Sequence, residues 1–138
     1  MSYLICINGS CVNKIHGCIK LKNKVDRKVT YHDPCHLGRF TGVYDAPRNI
    51  LEAIPGVELV EMPRNRMNSF CRGAGAGVRT AYPEFSNWVA TERVKEAAST
   101  GADTLVTACP FCEQNLGEVK QPKIELLDIL ELVRESMG

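Results

Sequence analysis

Four cysteines, Cys35, Cys71, Cys109 and Cys112, are spread along this 138-residue chain as Cys-x35-Cys-x37-Cys-x2-Cys. The last two can share one helical turn. The first two can join them only if the chain returns twice to the same place. Each of the last three has a helix start or a glycine turn beside it. Thiolates gathered from three separate loops suit a soft metal centre, an iron–sulfur cluster first and zinc second. A fold that serves such a site must bring several loops to one edge.

The remaining pattern supplies that edge. Lys28–His32 is a β-prone run that stops at Asp33-Pro34. Pro47–Ile54 opens with proline at a first helical position and is closed by Pro55-Gly56. Val57–Glu61 alternates as a second strand. After a loop from Pro63 to Arg79, Pro83 starts the longest helix, which runs to about Thr100 before Gly101. Its Ala90, Val94, Ala97 and Ala98 form one apolar stripe, and Phe85, Trp88 and Val89 lie nearly opposite. That second face is expected to pack under the domain's own loops, with docking on a partner domain as the alternative. Thr104–Thr107 is a third strand and Lys123–Leu126 a fourth. Asp128 caps a final helix, with Glu131 three residues on as in a capping box.

Strands alternating with helices predict a small three-layer α/β domain with a mainly parallel sheet of about four strands. Ligand loops of such sheets gather at the strand carboxyl ends. Cys35 follows the first strand, Cys109 the third, and Cys71 the second at greater length. The four cysteines are therefore expected to converge on one centre at that edge. Residues 1–24 read as an irregular arm carrying Cys6, Cys11 and Cys18, ahead of a domain spanning 25–138. The three arm cysteines are expected not to be ligands of the same centre.

Composition bounds the function. Hydrophobic residues make up 44% and charged ones 24%, as in an ordinary globular protein, and the net charge of +1 implies no nucleic-acid footprint. No apolar run approaches the roughly 20 residues of a membrane span. Tyr3–Ile7 is too short for a signal-peptide core, which points to the cytoplasm. Seven cysteines in a reducing compartment argue for metal or redox chemistry over a disulfide framework.

Cys109-Pro-Phe-Cys112 places Cys109 at a helix N-terminus, where the dipole and free amides favour thiolate. A glutaredoxin-like dithiol and a pair of buried structural thiols are its rival readings. Cys71-Arg-Gly-Ala-Gly-Ala-Gly77 lacks the endings of a phosphate loop. Its glycines suit close backbone approach to a cluster, with amides aimed at sulfur, or else a plain flexible turn. His32 and His36 flank Cys35. They are read as hydrogen-bonding neighbours of the ligands, although a mixed Cys/His zinc site is conceivable. Arg39, Arg64, Arg66, Arg72 and Arg79 stand in the same loops, either offsetting an anionic cluster or forming a solvated basic surface.

Residues His32–Gly38, Pro47-Arg48, Phe70–Gly75 and Thr107–Cys112, with the cysteine spacing, make the stretch from about Lys20 to Leu132 similar to a known family. It resembles the cysteine-rich CCG domain of heterodisulfide reductase subunits and related iron–sulfur oxidoreductases, including glycolate and lactate oxidase subunits. The resemblance implies Cys35, Cys71, Cys109 and Cys112 as ligands of a [4Fe–4S]-type cluster. It also implies electron transfer within an oxidoreductase complex, with other subunits as partners and a thiol/disulfide or 2-hydroxy-acid substrate. The chain departs from the family at Arg72, which stands where the second cysteine of Cys-Cys-Gly is found. Five thiolates become four, which leaves an ordinary cubane or a four-thiolate zinc site open rather than a noncubane cluster. Only one such domain is present, where family members typically carry two. The competing class is a module in which zinc, or nothing, occupies a vestigial site and the domain serves assembly.

Overall fold

The computed structural model describes residues 19–138. Its elements are β1 (Arg27–His32), α1 (Asp45–Ala53), β2 (Val57–Leu59), α2 (Val78–Ala81), α3 (Pro83–Ser99), β3 (Thr104–Thr107), α4 (Pro110–Gly117), β4 (Glu125–Asp128) and α5 (Ile129–Met137). Single helical turns lie at His36–Phe40 and Arg66–Asn68. The four strands stand in the order β2-β1-β3-β4 and every neighbouring pair is parallel. This is the α/β class the alternation predicts.

Parallel neighbours need crossovers, and the crossovers put a helical layer on each face. On one face Val29, Tyr31 and Val106 pack with Leu51, Ile54, Ile129 and Leu132 of α1 and α5. On the other, Leu105 packs with Ala90, Val94 and Ala97 of α3 and with Cys112 and Leu116 of α4. Enclosing a leucine-sized side chain fully is worth about 1.5–3 kcal/mol. These two cores therefore hold the sheet, and the loops at its carboxyl edge are held by other means.

Local signals act where expected, with shifted ends. Asp128 accepts from the Leu130 amide at 2.8 Å while Glu131 accepts from the Asp128 amide at 3.0 Å, closing the capping box. Gly101 terminates α3 at φ +73°. Helix α1 begins at Asp45, so Pro47 lies inside its first turn. Strand β2 closes at Leu59, two residues short of Glu61, because beyond Val60 the chain turns to carry Glu61 to Arg48. Strand β4 begins at Glu125 instead of Lys123, in register with Thr104.

Residues 21–24 form no regular element, yet they are tied to α5. The Lys22 and Asn23 amides donate to the Ser136 carbonyl at 2.8 and 2.9 Å, and Ser136 Oγ donates back to the Asn23 carbonyl. Residues 1–18 of the arm, with Cys6, Cys11 and Cys18, lie outside the described residues. The second face of α3 corrects the expectation of packing. Val89 is buried under Gly73, but Phe85 and Trp88 stack on each other at 6.0 Å and are 56% and 57% exposed. The backbone at Gly73 lies over Val89 and leaves the two rings exposed.

Candidate metal centre

The three cysteine loops leave one edge of the sheet. His32 and Thr107 pair at the carboxyl ends of adjacent β1 and β3. Cys35 lies three residues past β1. Cys109 lies two residues past β3, at the N-cap of α4 with Pro110 in the first helical position. Cys112 is in the first turn of that helix and is buried. Cys71 is strung between these two loops. Arg39 Nε donates to the Met67 carbonyl at 3.3 Å and its guanidinium also donates to the Ser69 carbonyl. Ser69 Oγ donates to the Asp33 carbonyl at 3.4 Å. On the far side Asn115 Nδ2 donates to the Arg72 carbonyl at 2.8 Å. All four cysteines are free thiols. The loops bring them to one edge. As placed, no three His, Cys, Asp or Glu side chains among the described residues are close enough to hold a metal ion.

Two of the cysteine sulfurs nevertheless have N–H donors. The Gly73 amide donates to Cys71 Sγ at 3.5 Å, and Arg72 Nη1 donates to Cys112 Sγ at 3.5 Å. Burial pushes the Cys112 thiol up to about 12, Cys109 beside it adds to that, and Arg72 opposes it. A metal binds thiolate, so binding here must release that proton. Arg72 Nε is buried and has no hydrogen-bond partner. Four free thiols, two N–H donors on sulfur and one uncommitted cationic N–H fit an anionic, sulfur-rich centre.

The frame beneath is ionic. Asp33 is clamped side-on by Arg48, with Nη1 to Oδ1 at 2.8 Å and Nη2 to Oδ2 at 2.9 Å. Arg48 also grips Glu61 and the Tyr44 carbonyl and lies 5.2 Å over the Tyr31 ring. Arg93 is fully buried. It donates to His32 Nδ1 at 3.0 Å, to the Arg64 carbonyl and Glu96 at 2.9 Å each, and to Ser69 Oγ at 3.2 Å. Burial first, and then the positive charge of Arg93, lowers the His32 pKa well below its usual value. His32 is thus a neutral imidazole whose Nδ1 accepts from Arg93. Sequence reasoning singled out neither Arg93 nor this network. The available signal was a single arginine inside the apolar stripe of α3, with Glu96 three residues on.

The family known as the cysteine-rich domain, CCG, matches residues 29–117. The chain belongs to this family. A subunit of the dihydromethanophenazine:CoB–CoM heterodisulfide reductase from Methanosarcina mazei is 47% identical over 123 residues, which cover 87% of this chain and 30% of that protein. The probable iron–sulfur-binding oxidoreductase FadF of Bacillus subtilis is 35% identical over 127 residues, 88% of this chain and 18% of its own length. A subunit of the CoM/CoB fumarate reductase from Methanothermobacter marburgensis is 40% identical over 121 residues, 80% of this chain and 24% of its own length. This CCG chain therefore spans less than a third of the length of each of these relatives.

Other expected site residues of this CCG domain separate. His36 is exposed and stacks on Phe40 at 5.0 Å, with no hydrogen bond to sulfur among the described contacts. Gly73, at φ +86°, owes its identity to α3, because a Cβ there would lie 2.5 Å from that of Val89. Gly75 and Gly77 face open space. No helix among the described residues is long and apolar enough to cross a membrane.

Proposed function

We propose that Cys35, Cys71, Cys109 and Cys112 hold a [4Fe–4S] cluster and that the chain carries electrons inside a larger cytoplasmic oxidoreductase of the heterodisulfide reductase kind. One observation carries the reading. Four free thiols, and no carboxylate bonded to them, share the carboxyl edge of adjacent strands. Such a cluster accepts and releases one electron at a time without bond making in the protein. In this reading the residues around it would hold it in place. Cys109 and Cys112 present two sulfurs from the N-cap and first turn of one helix, α4. Cys71 comes in on a loop pinned through Ser69 to Asp33 and through the Arg72 carbonyl to Asn115. His32, kept neutral beside Arg93, adds no charge under the site.

The partners in this reading are further subunits or domains of the complex, because relatives of the chain are named as subunits of reductases. Arg72 supplies no fifth thiolate, so the chain relays electrons toward a thiol/disulfide or 2-hydroxy-acid reaction completed elsewhere. Anaerobic reconstitution with iron and sulfide, followed by metal and sulfide analysis and absorption spectroscopy, tests the proposal. Stable iron and sulfide with broad visible absorption support it. A zinc-only protein without visible absorption contradicts it and favours an assembly module.

A further inference from the structure

The arginines of the thiol edge divide by what they touch. Arg39 donates to the Met67 and Ser69 carbonyls, and Arg64 pairs with Glu96 while lying 4.0 Å over the Phe70 ring. Arg66 pairs with Asp45 and Arg79 with Glu118. Arg72 belongs to none of the ion pairs among the described residues. It reaches Cys112 Sγ through Nη1, and its Nε–H is buried without a partner. The other buried polar side-chain atoms without partners among the described residues, Thr30 Oγ1 and Tyr31 Oη, belong to uncharged hydroxyls of β1, so Arg72 Nε is the one on a cation.

The missing bond has a physical meaning. A guanidinium keeps its charge in proteins, and leaving a buried donor unsatisfied is costly, above all on a charged group. The backbone cannot easily swing the side chain elsewhere. The Arg72 carbonyl is held by buried Asn115, and Gly73 is packed on Val89 with no room for a Cβ. The same guanidinium already reaches Cys112 Sγ through Nη1, so an acceptor for its Nε–H on the thiol side would complete it.

We infer that Arg72 donates to the iron–sulfur centre itself, Nη1 remaining on the Cys112 sulfur and Nε–H meeting a second sulfur of the bound centre, and that it thereby raises the centre's reduction potential. The inference rests on the four-thiolate reading above. Reduction adds negative charge to an already anionic centre, and a fixed cation with N–H donors on sulfur favours the more negative state. Arg72 itself exchanges neither electron nor proton.

The test compares wild-type protein with Arg72→Lys, Arg72→Gln and Arg72→Met, each reconstituted anaerobically with iron and sulfide. The midpoint is measured with mediators and dithionite, the reduced centre by electron paramagnetic resonance, and folding by circular dichroism. Loss of the charge in the Gln and Met variants is expected to make reduction at least tenfold less favourable, about 59 mV for one electron. Lys keeps charge without the planar fork and should shift less. It also carries the comparison if Met does not fold. Unchanged midpoints and spectra across iron-loaded variants overturn the inference and leave the cluster reading standing. A wild-type protein that takes up no iron and sulfide overturns the cluster reading and the inference with it, and iron content tells the two failures apart.

Discussion

The polar frame under the carboxyl edge and the thiol rim above it are built on opposite terms. In the frame, Arg48 and Arg93 are 3% and 0% exposed, and each nitrogen of either guanidinium has an acceptor. On the rim, Cys35, Cys71 and Cys109 are half-buried, the N–H donors that reach cysteine sulfur do so at 3.5 Å, and Arg72 Nε has no partner. The frame fixes where each cysteine loop departs. Asp33 receives Arg48, the Arg66 amide and, through its carbonyl, Ser69, so the loops after β1 and β2 leave from a common node. In the proposed function, the rim is what a bound cluster completes. Buried ion pairs contribute little net stability over well-packed apolar groups, but breaking one is costly. That asymmetry suits a base that must not move while sulfur above it rearranges.

Breaking the frame should have the largest effect. Arg48→Met leaves Asp33 buried and unpaired, and is expected to destabilise the metal-free domain by about 3–5 kcal/mol in urea denaturation. Asp33→Asn combined with Arg48→Met should cost less than the single change, since the carboxylate that then loses Arg48, Glu61, is partly exposed. On the rim the balance reverses. Cys35→Ser should remove most of the bound iron after reconstitution while changing metal-free stability by under about 1 kcal/mol, because this side chain is only half-buried. Equal losses of stability from Arg48→Met and Cys35→Ser would erase the distinction between the two regions.

A smaller effect concerns pH. The folded-state pKa of His32 lies well below 6.5, so below that pH the unfolded chain takes up a proton that the folded chain refuses. The stability of the metal-free domain is therefore full above about pH 6.5 and drains as pH falls, by linkage at this residue. Chemical denaturation as a function of pH should show that slope flattened in His32→Asn. The smallest effect is expected at Trp88, far from the frame. Trp88→Ala should shift stability by no more than about 0.5 kcal/mol, as exposed positions do.

What was legible in the sequence follows from range. The parallel sheet, the Asp128 capping box, the Pro110 start of α4 and the Gly101 stop of α3 are local signals, and they appear within two residues of expectation. Placement of Cys35, Cys71 and Cys109 beyond strand ends was legible because a parallel sheet sends its loops to one edge. The frame was not, since Arg93 meets His32 across 61 positions and reads locally as a blemish in an apolar stripe. Gly73 was read for sulfur and serves α3 as well, because two neighbours act on one residue and the sequence shows neither. The exposure of Phe85 and Trp88 depended on which residue of α3 the Gly73 backbone settles over, which composition alone does not fix.

The central claim is that the rim is completed by a cluster on four thiolates. Iron and acid-labile sulfide counted per chain after anaerobic reconstitution, in the wild type and in Cys35→Ser, test it most directly. The account predicts about four of each in the wild type, as a [4Fe–4S] cubane requires, and a large loss in the variant. Iron retained in full by Cys35→Ser, or a wild type that holds zinc and no sulfide, would contradict it.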